Sequence, residues 1–536
     1  MVSRRPKSWT LLGALVLVAL LAVACGDDGG GGSSSGATTG GGAAPTSAGE
    51  TDGGEADPSG VLRVVQTVGS RLTFDPTTAA AGVHPVLSAL YGNLLIKTSL
   101  TEYEPDLATR VEIIDPHTIE VDLREGMTFS DGTPVDAEAL KFNLERFATS
   151  GNIKGLRSEI TKDLREVEVT GTHSATVHLS TPTSGIFYDL FAGPETALVS
   201  PSAIRDGVDL SKQAVGAGPF LLESWQPDVK ATLVKNPDYW NADNVRLAGV
   251  EFIQLTPGPT VVNALRTSEV DVATITFDVA PSLTDPITTE TFQHPGTFIL
   301  NVCKKDGPLS DVRVRRAMAH AVNREMLGQR LYGGETEPVW SLQREGNPYF
   351  DPELDGIYDY DPDKAKDLLA EAGYPDGFST SMIVSAGIST TAGEVLQGLF
   401  GEVGIDVELR PSAEVVTDYY IEGRAPLFPI TQTRSGLDAF TVLLLPGAFA
   451  NVCQYSNPEI EGVMAEAMAA PPNSDEAIAA WHELAALVQE ELPFIPLVFH
   501  SQVAAVNSDR VGGLSWYLDE FGNALPRLDQ VFVGAT

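Results

Sequence analysis

Side chains that could do chemistry are present in this chain, but never at a productive spacing. Gly32-Ser33-Ser34-Ser35-Gly36 matches the G-x-S-x-G hydrolase elbow, yet no strand leads into it and no helix leaves it, so nothing would hold the serine on a strained turn. His482-Glu483 lacks the second histidine of an H-E-x-x-H zinc site, and His173 and His178, five positions apart, face opposite sides of one strand. None of the eight histidines pairs at a metal-ligand spacing. The acidic run at Asp361 fails as a calcium loop, because Pro362 interrupts it and Lys364 stands at the glycine position. Gly216-Ala217-Gly218-Pro219 reads as a tight turn entering a strand, with too few glycines for a phosphate loop. No Ser-His-Asp set, catalytic carboxylate pair or metal cluster can be assembled. No metal or cofactor is expected.

The N-terminus identifies the compartment. Arg4, Arg5 and Lys7 precede an apolar run, Leu11 to Ala24, that is short for a bilayer span, and small residues lead to Cys25. This is read as a signal peptide, residues 1–24, ending in a lipobox-like Leu21-Ala22-Val23-Ala24-Cys25 whose cysteine carries the lipid. Residues 26–60 are rich in Gly, Ser, Thr and Asp without apolar periodicity, and so form a flexible tether with a reach on the order of 30 Å. The remaining cysteines, Cys303 and Cys453, have no metal-ligand spacing and in an oxidising compartment either pair or stay as two thiols. A formal charge of −37 excludes a nucleic-acid partner, whose phosphates would be repelled over the whole surface. The 536 residues are enough for two or three domains with large cores.

The elements that would position a binding site follow in order. Val61 to Gln66 is a β-branched strand, and Ile119, Val121 and Leu123 alternate with Glu120, Asp122 and Arg124 as a half-buried one. Asp131-Gly132-Thr133-Pro134 is a turn, and Asp136 caps a helix with Ala137, Leu140, Leu144 and Phe147 on its inner face. LREVEVTG and SATVHLS, between Thr161 and Leu179, form an antiparallel pair. Phe298 to Asn301 is a crossing strand. Asp311 caps a helix through Leu327 that sends Val314, Met318, Ala321 and Met326 to the core and leaves its arginines on a solvated or salt-bridged face. Asp361-Pro362-Asp363 opens a further helix that Gly373 and Pro375 end.

The order of these segments carries more than their patterns. Glu104-Pro105-Asp106-Leu107-Ala108, LR-x-G-x-x-F-x-DGTP from Leu123, Gly216-Ala217-Gly218-Pro219-Phe220, Asn236-Pro237-Asp238-Tyr239-Trp240, Leu265 to Ala273, YDPDKAKDLLAEAGYPDGF from Tyr360, Gly404 to Leu409 and Tyr455-Ser456-Asn457-Pro458-Glu459 occur in sequence. This succession resembles the extracellular solute-binding proteins of the peptide and nickel ABC importers, family 5. The resemblance implies a bilobate α/β fold with two crossing strands: lobe I at 61–297, with an inserted subdomain near 101–214, lobe II at 298–500, and a return of 501–536 to lobe I. It implies a monomer that captures a peptide or similar solute, hands it to the importer's permease subunits and stays moored to the outer face of the cytoplasmic membrane through Cys25. It makes Asp438 the partner of a ligand cation and Arg434 that of a carboxylate, or a lid residue. Trp340 and Phe440 become candidate aromatic walls, and Asn301 an amide at the crossing strand. Each keeps a packing alternative: a helix cap for Asp438, a surface pair for Arg434, the core for Trp340 and Phe440, a turn for Asn301. An envelope-anchored hydrolase and a surface receptor without transport are the other classes left open.

Overall fold

The computed structural model describes residues 56–67, 72–78, 83–98, 102–149, 163–183, 187–188, 190–193, 196–256, 258–432, 436–448, 450–470, 474–518 and 524–534. Cys25, the tether to residue 55, Arg434 and the side chain of Asp438 lie outside the described residues.

β1 (Val61–Thr67) enters the middle of a sheet, and α1 (His84–Tyr91) buries Val86, Leu87 and Leu90 against it. The chain then leaves for a smaller antiparallel sheet made of β2 (Ala108–Asp115), β3 (Thr118–Leu123), β4 (Leu164–Val169) and β5 (Ser174–Leu179), in the order β2-β3-β5-β4. The alternation in β3 sends Ile119, Val121 and Leu123 inward to meet Leu140 and Leu144 of α2 (Ala137–Thr149). Asp136 caps α2, its Oδ1 accepting from the Ala139 amide at 2.9 Å.

β6 (Phe220–Gln226), β7 (Lys230–Lys235), β8 (Gly249–Leu255) and β9 (Val272–Ile275) rejoin β1, and β10 (Ile287–Val302) then carries the chain out of this half. In the second half come α3 (Val312–Ala321), α4 (Arg324–Tyr332), α5 (Pro362–Glu371), β11 (Phe378–Val384), α6 (Ile388–Glu402), β12 (Ile405–Pro411), β13 (Leu427–Gln432), α7 (Gly436–Leu444), α8 (Pro458–Ala469) and α9 (Asp475–Glu491). β14 (Phe494–Asn507) returns beside β10. The large sheet has the order β12-β11-β13-β10-β14-β9-β1-β8-β7-β6. Its second half is covered on both faces: Phe298 and Leu300 of β10 pack under α3, α4 and α6, while Ile299 meets Phe440, Ile460 and Trp481 of α7, α8 and α9.

β10 and β14 are the two crossing strands. β13 flanks β10 only from Thr297 to Val302, and β9 flanks β14 only from Val503 to Val506. Between those limits the sheet narrows to a two-strand neck, with a register shift between Gln293 and Thr297.

Two expectations need correction. The helix capped by Asp311 stops at Ala321, and Asn323 starts a new one by accepting from the Met326 amide at 2.9 Å. The break resets the helical phase, so Met326 is 40% exposed rather than in the core. Nor do the arginines at either end of this pair form a solvated face. Arg315 is buried and donates to the carbonyls of Leu309, Ser310, Glu491 and Leu492; Arg324 is buried and donates to those of Ala319, Val339, Tyr358 and Pro496. Chain ends and loops leave carbonyls without partners, and a guanidinium with five donors satisfies several at once.

Candidate functional site

The sequence motifs first meet in structural nodes. Asp106, fully enclosed, accepts from the Asn93 amide at 2.9 Å, the Tyr239 hydroxyl at 3.0 Å and the Trp240 indole at 3.0 Å, and burial pushes its pKa up. Arg124 stacks on the Trp240 ring at 3.7 Å. Asp131 binds the Thr133 amide and the Ser200 hydroxyl, Ser200 itself capping the helix at Pro201–Arg205. A Cβ on Gly216 or Gly218 would collide with the backbone of Ala89 and Leu90, so the two glycines let this turn close against α1. Asp271, without solvent exposure, holds Arg63 at 2.8 Å and Arg510 at 2.8 Å and joins the start of β1 to the C-terminal segment. These nodes fix the first half of the molecule.

A different kind of polar cluster lies at the neck. Thr297 faces Gln432 on β13 and Phe499 on β14, and all three side chains share one face because directly paired residues point the same way. Ser501, two residues beyond Phe499, lies on that face as well. The loop after α4 is pinned to the strand edge, with the Phe499 amide donating to the Glu337 carbonyl at 3.0 Å and the Val339 amide to that of Leu497 at 3.2 Å. Leu342 of this loop joins the core beside Ile299, and Arg344 lays its guanidinium on the Phe499 ring at 4.0 Å. Burial draws the Arg344 pKa down to about 10; Glu337, 3.8 Å away, is mostly in solvent.

Thr297, Gln343 and Ser501 are at most 2% exposed, and Thr297 Oγ1, Gln343 Nε2 and Ser501 Oγ have no hydrogen-bond partner among the described residues. A buried polar atom left unpaired costs about 1–3 kcal/mol. Three of them around the neck are the pattern of a site whose partner arrives from outside. On the opposite face the Tyr332 hydroxyl and His500 Nδ1 share a hydrogen bond of 2.8 Å, and burial holds the imidazole pKa down at about 4.

The residues singled out from the sequence are not all brought to this place. Trp340 is in the pinned loop, partly buried against the second-half core, with Nε1 unpaired among the described residues and the Arg324 guanidinium 5.5 Å from its ring. Phe440 is buried with Trp481 and Phe494, at ring-centroid distances of 5.5 and 6.4 Å. Asn301 is buried on β10 between Phe428 and Phe494, four residues or about 13 Å along the strand from Thr297. Asp438 belongs to the first turn of α7, which follows β13 after three residues outside the described set that include Arg434. Cys303 and Cys453 are joined, with Cα atoms 5.6 Å apart. Thr297, Gln343, Arg344 and Ser501 belong to no motif; nothing short of their burial marks them out. Among the described residues no group of three or more His, Cys, Asp or Glu could hold a metal ion, and no helix is long and apolar enough to cross a membrane.

A mixed sheet in two halves joined by two crossing strands, with unsatisfied polar groups gathered at the junction, defines a bilobate solute-binding protein. The chain belongs to the bacterial extracellular solute-binding proteins, family 5, whose middle region it matches over residues 102–444. It is 28% identical to the glutathione-binding protein GsiB of Salmonella paratyphi A over 86% of this chain and 93% of that one. Its fold aligns with the periplasmic binding protein DppA of Helicobacter pylori, solved with the peptide STSA, at a TM-score of 0.76 and 21% identity, covering 89% of this chain and 98% of that chain. The dipeptide-binding protein of Pseudoalteromonas sp. SM9913, solved with Met-Leu, aligns at 0.75 with 20% identity over 88% and 99%.

Proposed function

We propose that the protein captures a small peptide-like solute, glutathione included, between its two lobes and presents it unaltered to the membrane subunits of an ABC importer. The observation that carries this reading is the set of buried, unpaired side chains at the neck. A ligand that pairs with them in the closed form, and not in the open one, shifts a pre-existing equilibrium toward closure. The two-strand neck is where such a motion costs least, because no third strand flanks it. Lobe I is assigned to 61–297 with 501–536, and lobe II to 298–500. Asp438, at the start of α7, is assigned to a ligand ammonium, and Cys25 with its tether to anchorage on the outer membrane face.

The test is calorimetry with glutathione, Met-Leu and Ser-Thr-Ser-Ala, joined to small-angle scattering with and without each. Binding with a smaller radius of gyration is expected for at least one. No binding by any of the three sinks the peptide reading, and conversion of a bound probe by the pure protein sinks the carrier role.

A further inference from the structure

We propose that Asn93, Asp106 and Asp529 form a binding site for a monovalent metal cation of about the size of sodium, which holds the C-terminal segment against the end of α1.

The argument starts from a charge without a counter-charge. A carboxylate taken fully out of water needs a positive partner to remain an anion, and among the described residues no cation bonds the side chain of Asp106. Its three donors, the Asn93 amide, the Tyr239 hydroxyl and the Trp240 indole, are all neutral. The guanidiniums of this region are directed elsewhere. Arg124 donates to the backbone carbonyl of Asp106 and lies on the Trp240 ring, while Arg527 donates to Asp529, at 2.9 and 3.0 Å, and to Glu104, at 3.0 Å. Burial pushes the Asp106 pKa up, and the Asp529 carboxylate pushes it the same way.

A second, independent observation is an acceptor with nothing to accept. Asn93 is 4% exposed, and its Oδ1 has no hydrogen-bond partner among the described residues. Asn93, Asp106, Tyr239, Arg527 and Asp529 all line one small cavity, about 50 Å³ in volume. The Tyr239 hydroxyl and the Arg527 guanidinium give their hydrogens to carboxylates, so the groups left wanting around this space are oxygens. A water would pair with Asn93 Oδ1 and leave the charge of Asp106 in place; a cation answers both.

Charge and size select the ion. Asp529 already has Arg527, so one uncompensated carboxylate calls for one positive charge. Calcium takes about six to eight oxygens and magnesium keeps several waters, a shell that this space does not admit when one water fills about 30 Å³. No histidine or cysteine lines the cavity to favour a transition metal. The three ligating residues come from the end of α1, the segment before β2 and the C-terminal segment, so an ion among them ties together parts of the chain that are remote in sequence.

The experiment melts wild type, Asp106→Asn and Asn93→Ala in sodium, potassium and choline chloride at one ionic strength, so that general screening is the same throughout. Wild type should melt about 2 °C or more higher in sodium than in choline, with potassium between them. Both substitutions should abolish that increment. In choline Asp106→Asn should melt no lower than wild type, because it removes a buried charge while keeping an oxygen for Tyr239 and Trp240. A residue with a folding role alone would lower the melting point equally in every salt. Asn93→Ala and the wild-type comparison remain informative if Asp106→Asn does not fold. Identical melting of wild type in the three salts overturns the assignment and leaves Asp106 holding a proton. A sodium increment that survives both substitutions overturns it too, as does stabilisation by micromolar calcium that a chelator reverses and either substitution removes.

Discussion

Arg324 shows how a single side chain can place a site without touching it. Its guanidinium spans the Val339 carbonyl at 3.0 Å and the Pro496 carbonyl at 3.0 Å, joining the loop that carries Gln343 and Arg344 to the crossing strand β14. Burial draws its pKa down to about 9, still high enough to keep it charged at neutral pH. Arg324→Ala leaves those carbonyls unpaired and should cost about 3 kcal/mol in chemical denaturation; a loss below about 1 kcal/mol would mean that water replaces the side chain. His500 supports a second prediction at this scale. Folded, its pKa is held at about 4, against 6.5 for the free group, so between those values the unfolded chain binds a proton that the folded one refuses. Stability from this residue is therefore intact above pH 6.5 and falls as the pH drops toward 4, by up to about 3 kcal/mol. Wild type and His500→Phe, denatured at pH 7 and pH 4.5, should differ in slope by that amount, and parallel slopes would remove His500 as the cause. At this same scale the sequence was least readable. Asp106, Tyr239, Trp240 and Arg124 could each be seen as part of a short motif, but not that the motifs close on one carboxylate. A threonine and a serine in β-branched runs look like ordinary pleat residues, and only their burial without a partner sets Thr297 and Ser501 apart.

Elements were more legible, because period and caps are local. β3, α2, the β4–β5 pair and α5 follow from alternation, helical spacing and the capping carboxylates of Asp136 and Asp361. The break between α3 and α4 is not legible in the sequence, since Asn323 sits inside an otherwise helical pattern and its role as a cap appears only when the backbone turns there. The disulfide is also an element-scale feature. Cys303 directly follows β10 and Cys453 lies between α7 and α8, so the bond ties the sheet to the helical layer whose first turn holds Asp438. It closes a loop across a sequence separation of 150, and its removal should cost about 2–4 kcal/mol. The double variant Cys303→Ser, Cys453→Ser should melt lower, with the loss confined to the second half as read by hydrogen exchange. Equal protection in oxidised and doubly substituted protein would show that packing alone holds that layer.

At the scale of the whole molecule, charge bears on the opening of the cleft. Residues 298–500 carry 31 acidic side chains against 13 Lys and Arg, and the rest of the chain 41 against 22. With the lobe bounds proposed above, both lobes are negative, and the neck between them is two strands wide, so their mutual repulsion acts on the softest part of the fold. Salt screens that repulsion: the Debye length falls from about 30 Å at 0.01 M to about 8 Å at 0.15 M. Raising ionic strength should then shift ligand-free protein toward closure, seen as a smaller radius of gyration in small-angle scattering between 0.01 and 0.3 M salt. A radius of gyration that ignores salt would show that packing at the neck, and not charge across the cleft, sets the resting angle between the lobes.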